Sequence, residues 1–254
     1  MNLHNFNNGY EIFDVQNKAK LENLRKKIVF DLRKLFKIKE KNPNLVLNNF
    51  HLYNKKISDK KLNSLRVDLI KKINRDNSLG DMIFDLFRNN IVNLFGQDIL
   101  IQKNINLVIQ KPNDKNPSEI HRDAPQNSSY EVVVWIPLVD CYSTKSMYIL
   151  DYKSTNRALN FLQKNKNQWK EFEKFSKKIS KNPKVNYGQA LFFHSGLLHG
   201  SNINKENETR ISLNIRFKNL FSPTGLKNQL QYYRPLNISN ITKFGAQLDS
   251  KEKF

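Results

Sequence analysis

Apolar positions in the N-terminal third of the chain recur at spacings of three and four. Leu21, Leu24, Ile28, Leu32, Leu35 and Phe36 fall on one stripe, with lysines and arginines opposite, and predict a helix over Lys18 to Ile38. A second helix is predicted over Asp59 to Asn74, where Leu62, Leu65, Leu69, Ile70 and Ile73 share a face and Ser58 is a natural N-cap. A third covers Asp81 to Leu94, with Phe84, Phe87, Ile91 and Leu94 turned inward and Gly96 as the stop. Asn42-Pro43-Asn44 breaks the chain between the first two.

Beyond residue 98 the period shortens. Ile99 to Gln110 alternates, Glu131 to Leu138 is a continuous apolar run suited to a strand buried on both faces, and Ser146 to Leu150 is a shorter strand. Val185 to Phe193 and Thr209 to Phe217 complete the set, with a helical insert at about 156–180. In the last strand Arg210, Ser212, Asn214 and Arg216 share one face, and Ile211, Leu213, Ile215 and Phe217 share the other. The apolar face must pack, so the polar face looks to water or into a polar cavity. Helices followed by closely spaced strands predict an α+β chain with an antiparallel barrel or sandwich. We expect a single domain over 1–254: a helical region over 1–97, a β core over 98–220 and a tail over 221–254. Neither the tail nor residues 1–16 carry an assignable pattern.

Composition narrows the classes. Cys141 is the one cysteine, which excludes an intrachain disulfide and a cysteine-based zinc site. A reducing cytoplasm is the expected location, because MNLHNFNNGYEIFDV lacks the pattern of a signal peptide. No apolar run approaches the ~20 residues that span a bilayer. The net charge of +20 is spread through lysines mixed with asparagine, which reads as composition more than as a binding patch. The expected partner is therefore a small-molecule substrate, with an anionic one giving the charge a use. Nucleic acid is disfavoured as a partner, and homo-oligomerisation is left open.

His121 and Asp123 are two apart, so on an extended segment both point to one face. With His199 they form two imidazoles and one carboxylate, the facial set of non-haem Fe(II) oxygenases, which leaves coordination positions open. Arg210 follows His199 with ten residues between, and an arginine in a polar cavity can pair with a carboxylate through two nitrogens. His194 is an alternative distal histidine, and its longer spacing to Arg210, together with Arg210-x5-Arg216, looks like the AlkB-type nucleic-acid demethylases.

The running text IQKP, VVWIPLVDC, GQALFFHSGLLHGS and TRISLNIRF resembles the Fe(II)/2-oxoglutarate-dependent dioxygenases over about residues 99–220. The arrangement of His199, Gly200, Ser201 and Arg210 is similar to the phytanoyl-CoA dioxygenase branch, and in particular to its small members from carbohydrate gene clusters. This favours His199 over His194. The resemblance implies a double-stranded β-helix, a cupin-like jelly roll flanked by the N-terminal helices. It implies Fe(II) on His121, Asp123 and His199, and 2-oxoglutarate on Arg210 with Ser201, Ser212 and Gln110 beside it, O₂ being the further cosubstrate. Trp135, Tyr148 and Arg216 are candidates to line a substrate pocket. The activity implied is hydroxylation, since Asp123 stands where family halogenases carry a small residue. The implied substrate is a sugar, nucleotide-sugar or phosphorylated sugar of surface-glycan biosynthesis, with AlkB-like demethylation as the alternative.

Overall fold

The computed structural model describes residues 6–55, 57–124, 126–166, 168–226 and 229–249. Strand β1 (Tyr10–Asp14) precedes helix α1 (Lys18–Phe36), whose first turn is capped by the Asn17 side chain accepting from the Lys20 N–H. Asn42-Pro43 proves to be a start signal as well as a break. Asn42 caps α2 (Pro43–Asn48), with Pro43 in the first turn, where its missing N–H costs nothing. Then come α3 (Phe50–Tyr53) and α4 (Asp59–Ile73), the latter capped by Ser58 as expected. The third predicted helix is two, α5 (Ser78–Leu86) and α6 (Arg88–Phe95). Phe87 leaves the helical conformation at the junction and buries its ring 5.3 Å from Phe192, while Leu94 is turned outward.

The predicted strand over residues 99–110 is also two, β2 (Ile99–Gln102) and β3 (Asn106–Gln110). They are followed by β4 (Glu131–Pro137), β5 (Met147–Ile149), α7 (Tyr152–Lys164), α8 (Trp169–Ile179), β6 (Gln189–His194), β7 (His199–Ser201) and β8 (Arg210–Asn219). Val185 makes only a bridge to Cys141, and the chain turns through Gly188 before β6 begins. The segment left unassigned by pattern forms α9 (Gln229–Tyr232), β9 (Tyr233–Asn237) and α10 (Asn240–Asp249), with residues 250–254 outside the described range.

Seven strands form the larger sheet, ordered β1-β6-β4-β8-β2-β9, with β3 also paired to β8. Every pairing is antiparallel. The two ends without an assignable pattern thus supply both edges. β4 is buried at all seven positions, as a continuous apolar run demands. Ile211, Leu213, Ile215 and Phe217 of β8 are fully buried in one core cluster with α1, α4 and α5.

A smaller sheet of β5 and β7 faces the first. Backbone bridges extend it on both sides, His121 to His199 and Ile149 to Lys181. Its outer face is covered by α7 and α8 through Ile120, Tyr148, Leu150, Leu198, Ala158 and Phe172. The polar side of β8 and the inner side of the smaller sheet enclose the site.

Candidate metal and cosubstrate site

His121 and His199 exchange both backbone hydrogen bonds, each 3.0 Å, which places their side chains next to one another with ring centroids 4.3 Å apart. Two residues on, the Asp123 N–H donates to the Ser195 carbonyl, which turns its carboxylate inward. Ligand-capable atoms of His121, Asp123 and His199 all lie within 4.8 Å of one another. Both rings are oriented alike. His121 Nδ1 donates to the Glu119 carbonyl at 2.8 Å and His199 Nδ1 to that of Leu197 at 3.0 Å, so in each ring the backbone engages Nδ1 and not Nε2.

Asp123 is divided between two tasks. Arg216 donates Nη2 and Nε to one oxygen, Oδ2, at 2.6 and 3.2 Å. Oδ1 remains, 3.8 Å from His121 Nε2. Burial pushes the Asp123 carboxyl up, but Arg216 and the two imidazoles outweigh it and hold the group below the ordinary carboxylate range. Arg216 is itself braced by Gln102 Oε1 and Tyr232 Oη, each 3.1 Å from Nη1.

Burial, reinforced by His121, pushes the His199 imidazole down to about 4. Its neutral form is therefore the folded form at neutral pH. An unfolded histidine takes its proton near 6.5. Stability from this group is thus complete above pH ~6.5 and is lost as pH falls through about 4, because only the unfolded chain accepts the proton in that window. Urea midpoints of metal-free protein should fall on acidification from pH 6.5 to 4, and fall less in His199→Gln. Equal slopes would exclude His199 as the cause.

Arg210 enters from the other end of β8. It is 3% exposed, and its Nη2 donates to Ser201 Oγ at 2.8 Å. Nε and Nη1 are buried without a hydrogen-bond partner, and no carboxylate pairs with this guanidinium among the described residues. Ser212 Oγ and Gln110 Oε1 are likewise buried and unpartnered, while Gln110 Nε2 donates to the Asn202 carbonyl at 2.6 Å. Gln110 stands directly across from Arg210 in the β3–β8 register.

Arg210 and Ser201, with His121, Asp123 and His199, line a cavity of about 180 Å³, whereas Ser212 and Gln110 are not part of its lining. Trp135 and Arg216 line it, as does Phe193, whose ring lies 4.8 Å from that of His199. Tyr148 does not reach it. Along β5 the Met147 side chain points in, so Tyr148 points out beneath α8. His194 follows Phe193 on β6 and is on the opposite face for the same reason. There its Nδ1 accepts from the Gly196 N–H, 3.0 Å away.

Asn106, Ser118 and Asn214 also line the cavity. Asn214 was legible from the alternation of β8, whereas nothing in the sequence marks Asn106, Ser118 or the Tyr232 brace. Gly200 lies so close to Tyr148 that an added Cβ would collide with its Oη and Cζ. Gly200→Ala should therefore displace His199, cost ~1–3 kcal/mol in a denaturant titration and weaken metal binding. Unchanged values for both would contradict this packing.

No protein-family model matches the chain, and no curated protein matches it by sequence. Solved structures do match its backbone. The apo form of the non-haem monooxygenase ThoJ aligns with a TM-score of 0.55 at 14% identity, over 92% of this chain and 83% of its own. The ThoJ nickel complex gives 0.52 at 15%, over 96% and 91%. SnoK, a non-haem α-ketoglutarate-dependent carbocyclase from nogalamycin biosynthesis, gives 0.52 at 13%, over 94% and 95%. The chain is a double-stranded β-helix. At such identities the likeness is one of fold, and it spans both sheets of the β-helix and most of the flanking helices. Among the described residues no helix is long and apolar enough to cross a membrane.

Proposed function

We propose that this β-helix is an Fe(II)- and 2-oxoglutarate-dependent oxygenase that hydroxylates a small molecule. One observation carries the reading: two imidazoles and a carboxylate share a cavity with a buried guanidinium that lacks an anion. The donor set suits Fe(II), being two borderline nitrogens and one hard oxygen on one side of an ion. Iron bound there would supply the redox chemistry, coupling oxidative decarboxylation of 2-oxoglutarate by O₂ to oxidation of a substrate C–H bond.

The chain's own residues do the rest. His121 and His199 would present their Nε2 atoms, and Asp123 its Oδ1 while Arg216 keeps its other oxygen occupied. Arg210 and Ser201 would take the remote carboxylate of the 2-oxo acid, with Ser212 and Gln110 alongside. A diacid held at that end would be oriented before reaction. Met147, Trp135, Val133 and Phe193 wall the cavity and limit water. The nickel bound by ThoJ and the α-ketoglutarate dependence of SnoK support the assignment.

The substrate we propose is a sugar, nucleotide-sugar or phosphorylated sugar of surface-glycan biosynthesis. The carbohydrate-cluster resemblance supports it, as do the neutral hydrogen-bonding groups of Asn106, Ser118 and Asn214 in the cavity lining. Demethylation of nucleic acid, suggested by the spacings of His194 and Arg216 to Arg210 and by the basic charge, loses its distal ligand, because His194 is not in the cavity lining. The test is succinate formation from 2-oxoglutarate by the purified protein with Fe(II) and O₂. Slow uncoupled turnover that disappears in His199→Ala is expected. Succinate no higher than in a metal-free control would refute the reading.

A further inference from the structure

A second cavity, about 510 Å³, lies between α4 and the segment that follows β3. Its lining includes Arg66, Lys111 and Lys115, against the single carboxylate of Asp114. That carboxylate is partly engaged, accepting from the Asn116 N–H at 3.0 Å. Among the described residues, Arg66 and Lys115 make no ion pair or side-chain hydrogen bond. The volume is that of a small-molecule site, and it is concave, unlike the flat surface a polyanion would track.

This cavity is linked to the metal cavity through shared lining residues. Lys115 and Asn116 also line an intermediate hollow of about 360 Å³, which Ser118 and Ser201 share with the metal site. In the intermediate hollow Lys177 is paired with Glu173 at 2.7 Å, so its charge is compensated. Along the run, then, the residues shared with the metal cavity are the neutral Ser118 and Ser201, the middle sets Lys115 and Lys177 against Glu119 and Glu173, and the far cavity sets Arg66, Lys111 and Lys115 against Asp114. Lys115 and Ser118 are three residues apart, so at most ~10 Å of extended chain separates Lys115 from the rim of the metal cavity.

We infer that Arg66, Lys111 and Lys115 form an anion subsite for a phosphate or diphosphate group carried by the substrate, several bonds from the carbon that is oxidised. An arginine with two lysines suits a phosphoryl group, with the planar fork for two oxygens and the ammoniums as point charges. The inference deepens the oxygenase reading and rests on it for the position of the reacting carbon. It also gives a share of the +20 charge a local role.

Inorganic pyrophosphate is the probe, titrated calorimetrically into metal-free protein so that iron chelation cannot contribute. Wild-type protein should bind it, and Arg66→Ala/Lys115→Ala should weaken binding at least tenfold. Raised salt should weaken wild-type binding as well, since these side chains are partly exposed. Equal affinity in the two proteins, or no binding to wild type, would overturn the subsite. Anaerobic addition of Fe(II) and 2-oxoglutarate to the same samples separates the two readings. A normal spectral response with pyrophosphate affinity unchanged by the double substitution rejects the subsite alone. No spectral response, with pyrophosphate affinity still dependent on Arg66 and Lys115, rejects the oxygenase reading and leaves an anion site standing.

Discussion

Arg210→Met should lower 2-oxoglutarate affinity by about 10²- to 10³-fold, the cost of deleting one partner of a buried charged contact. Metal binding should persist, because Arg210 touches none of the three ligands. A less obvious effect should accompany this. In the ligand-free protein the guanidinium is buried with two nitrogens unpaired, and burial already pulls its pKa below the ordinary arginine value. An uncompensated buried charge is a liability that an apolar isostere removes. Arg210→Met should therefore leave the metal-free fold as stable as wild type or more so. A side chain kept only for packing would give the opposite pattern, with stability lost and 2-oxoglutarate binding untouched. Calorimetric titration with 2-oxoglutarate and thermal denaturation of the same two proteins distinguish them.

The second large effect is expected at Arg216. Its replacement by Met leaves Asp123 buried with no cation on Oδ2, a change that costs ~3–5 kcal/mol when one half of a buried pair is removed. The carboxylate also loses the contact that aims Oδ1, and loss of such outer support typically lowers metal affinity 10- to 100-fold. Arg216→Lys should recover little, since one ammonium cannot give two bonds to Oδ2 while also reaching Gln102 and Tyr232. Combining Arg216→Met with Asp123→Asn should restore stability relative to Arg216→Met alone, because the stranded charge is then gone. Metal affinity unchanged in Arg216→Met would show that Asp123 needs no such support.

Much of this arrangement was legible from residue order because it depends on period-two alternation. In β8 one face had to pack and the other had to be polar, and the same pattern that buries Ile211, Leu213, Ile215 and Phe217 aims Arg210, Asn214 and Arg216 into the cavity. His121 and Asp123 were readable for the same reason. Where pattern failed, the cause was long-range pairing. β1 and β9 are held by β6 and β2, partners far away in the chain, and their own residues show no strong alternation. Tyr148, a candidate for the pocket, lies instead in the cluster beneath α7 and α8, because the inward phase of a three-residue strand cannot be read from three residues. Arg216 was legible as a cavity residue, but not as the clamp on Asp123, which needs the return of Tyr232 and Gln102 from distant segments of the chain. The split at Phe87 was hidden because its spacing to Phe84 and Ile91 continues the helical stripe across the break.

Anaerobic titration of the metal-free protein with Fe(II) and then 2-oxoglutarate, followed by visible absorption, addresses the centre most directly. Wild-type protein should develop the weak charge-transfer band of a 2-oxo acid chelated to ferrous iron, and Asp123→Ala should show none. The band persisting undiminished in Asp123→Ala, or failing to appear in wild type, would mean that His121, Asp123 and His199 do not hold the iron.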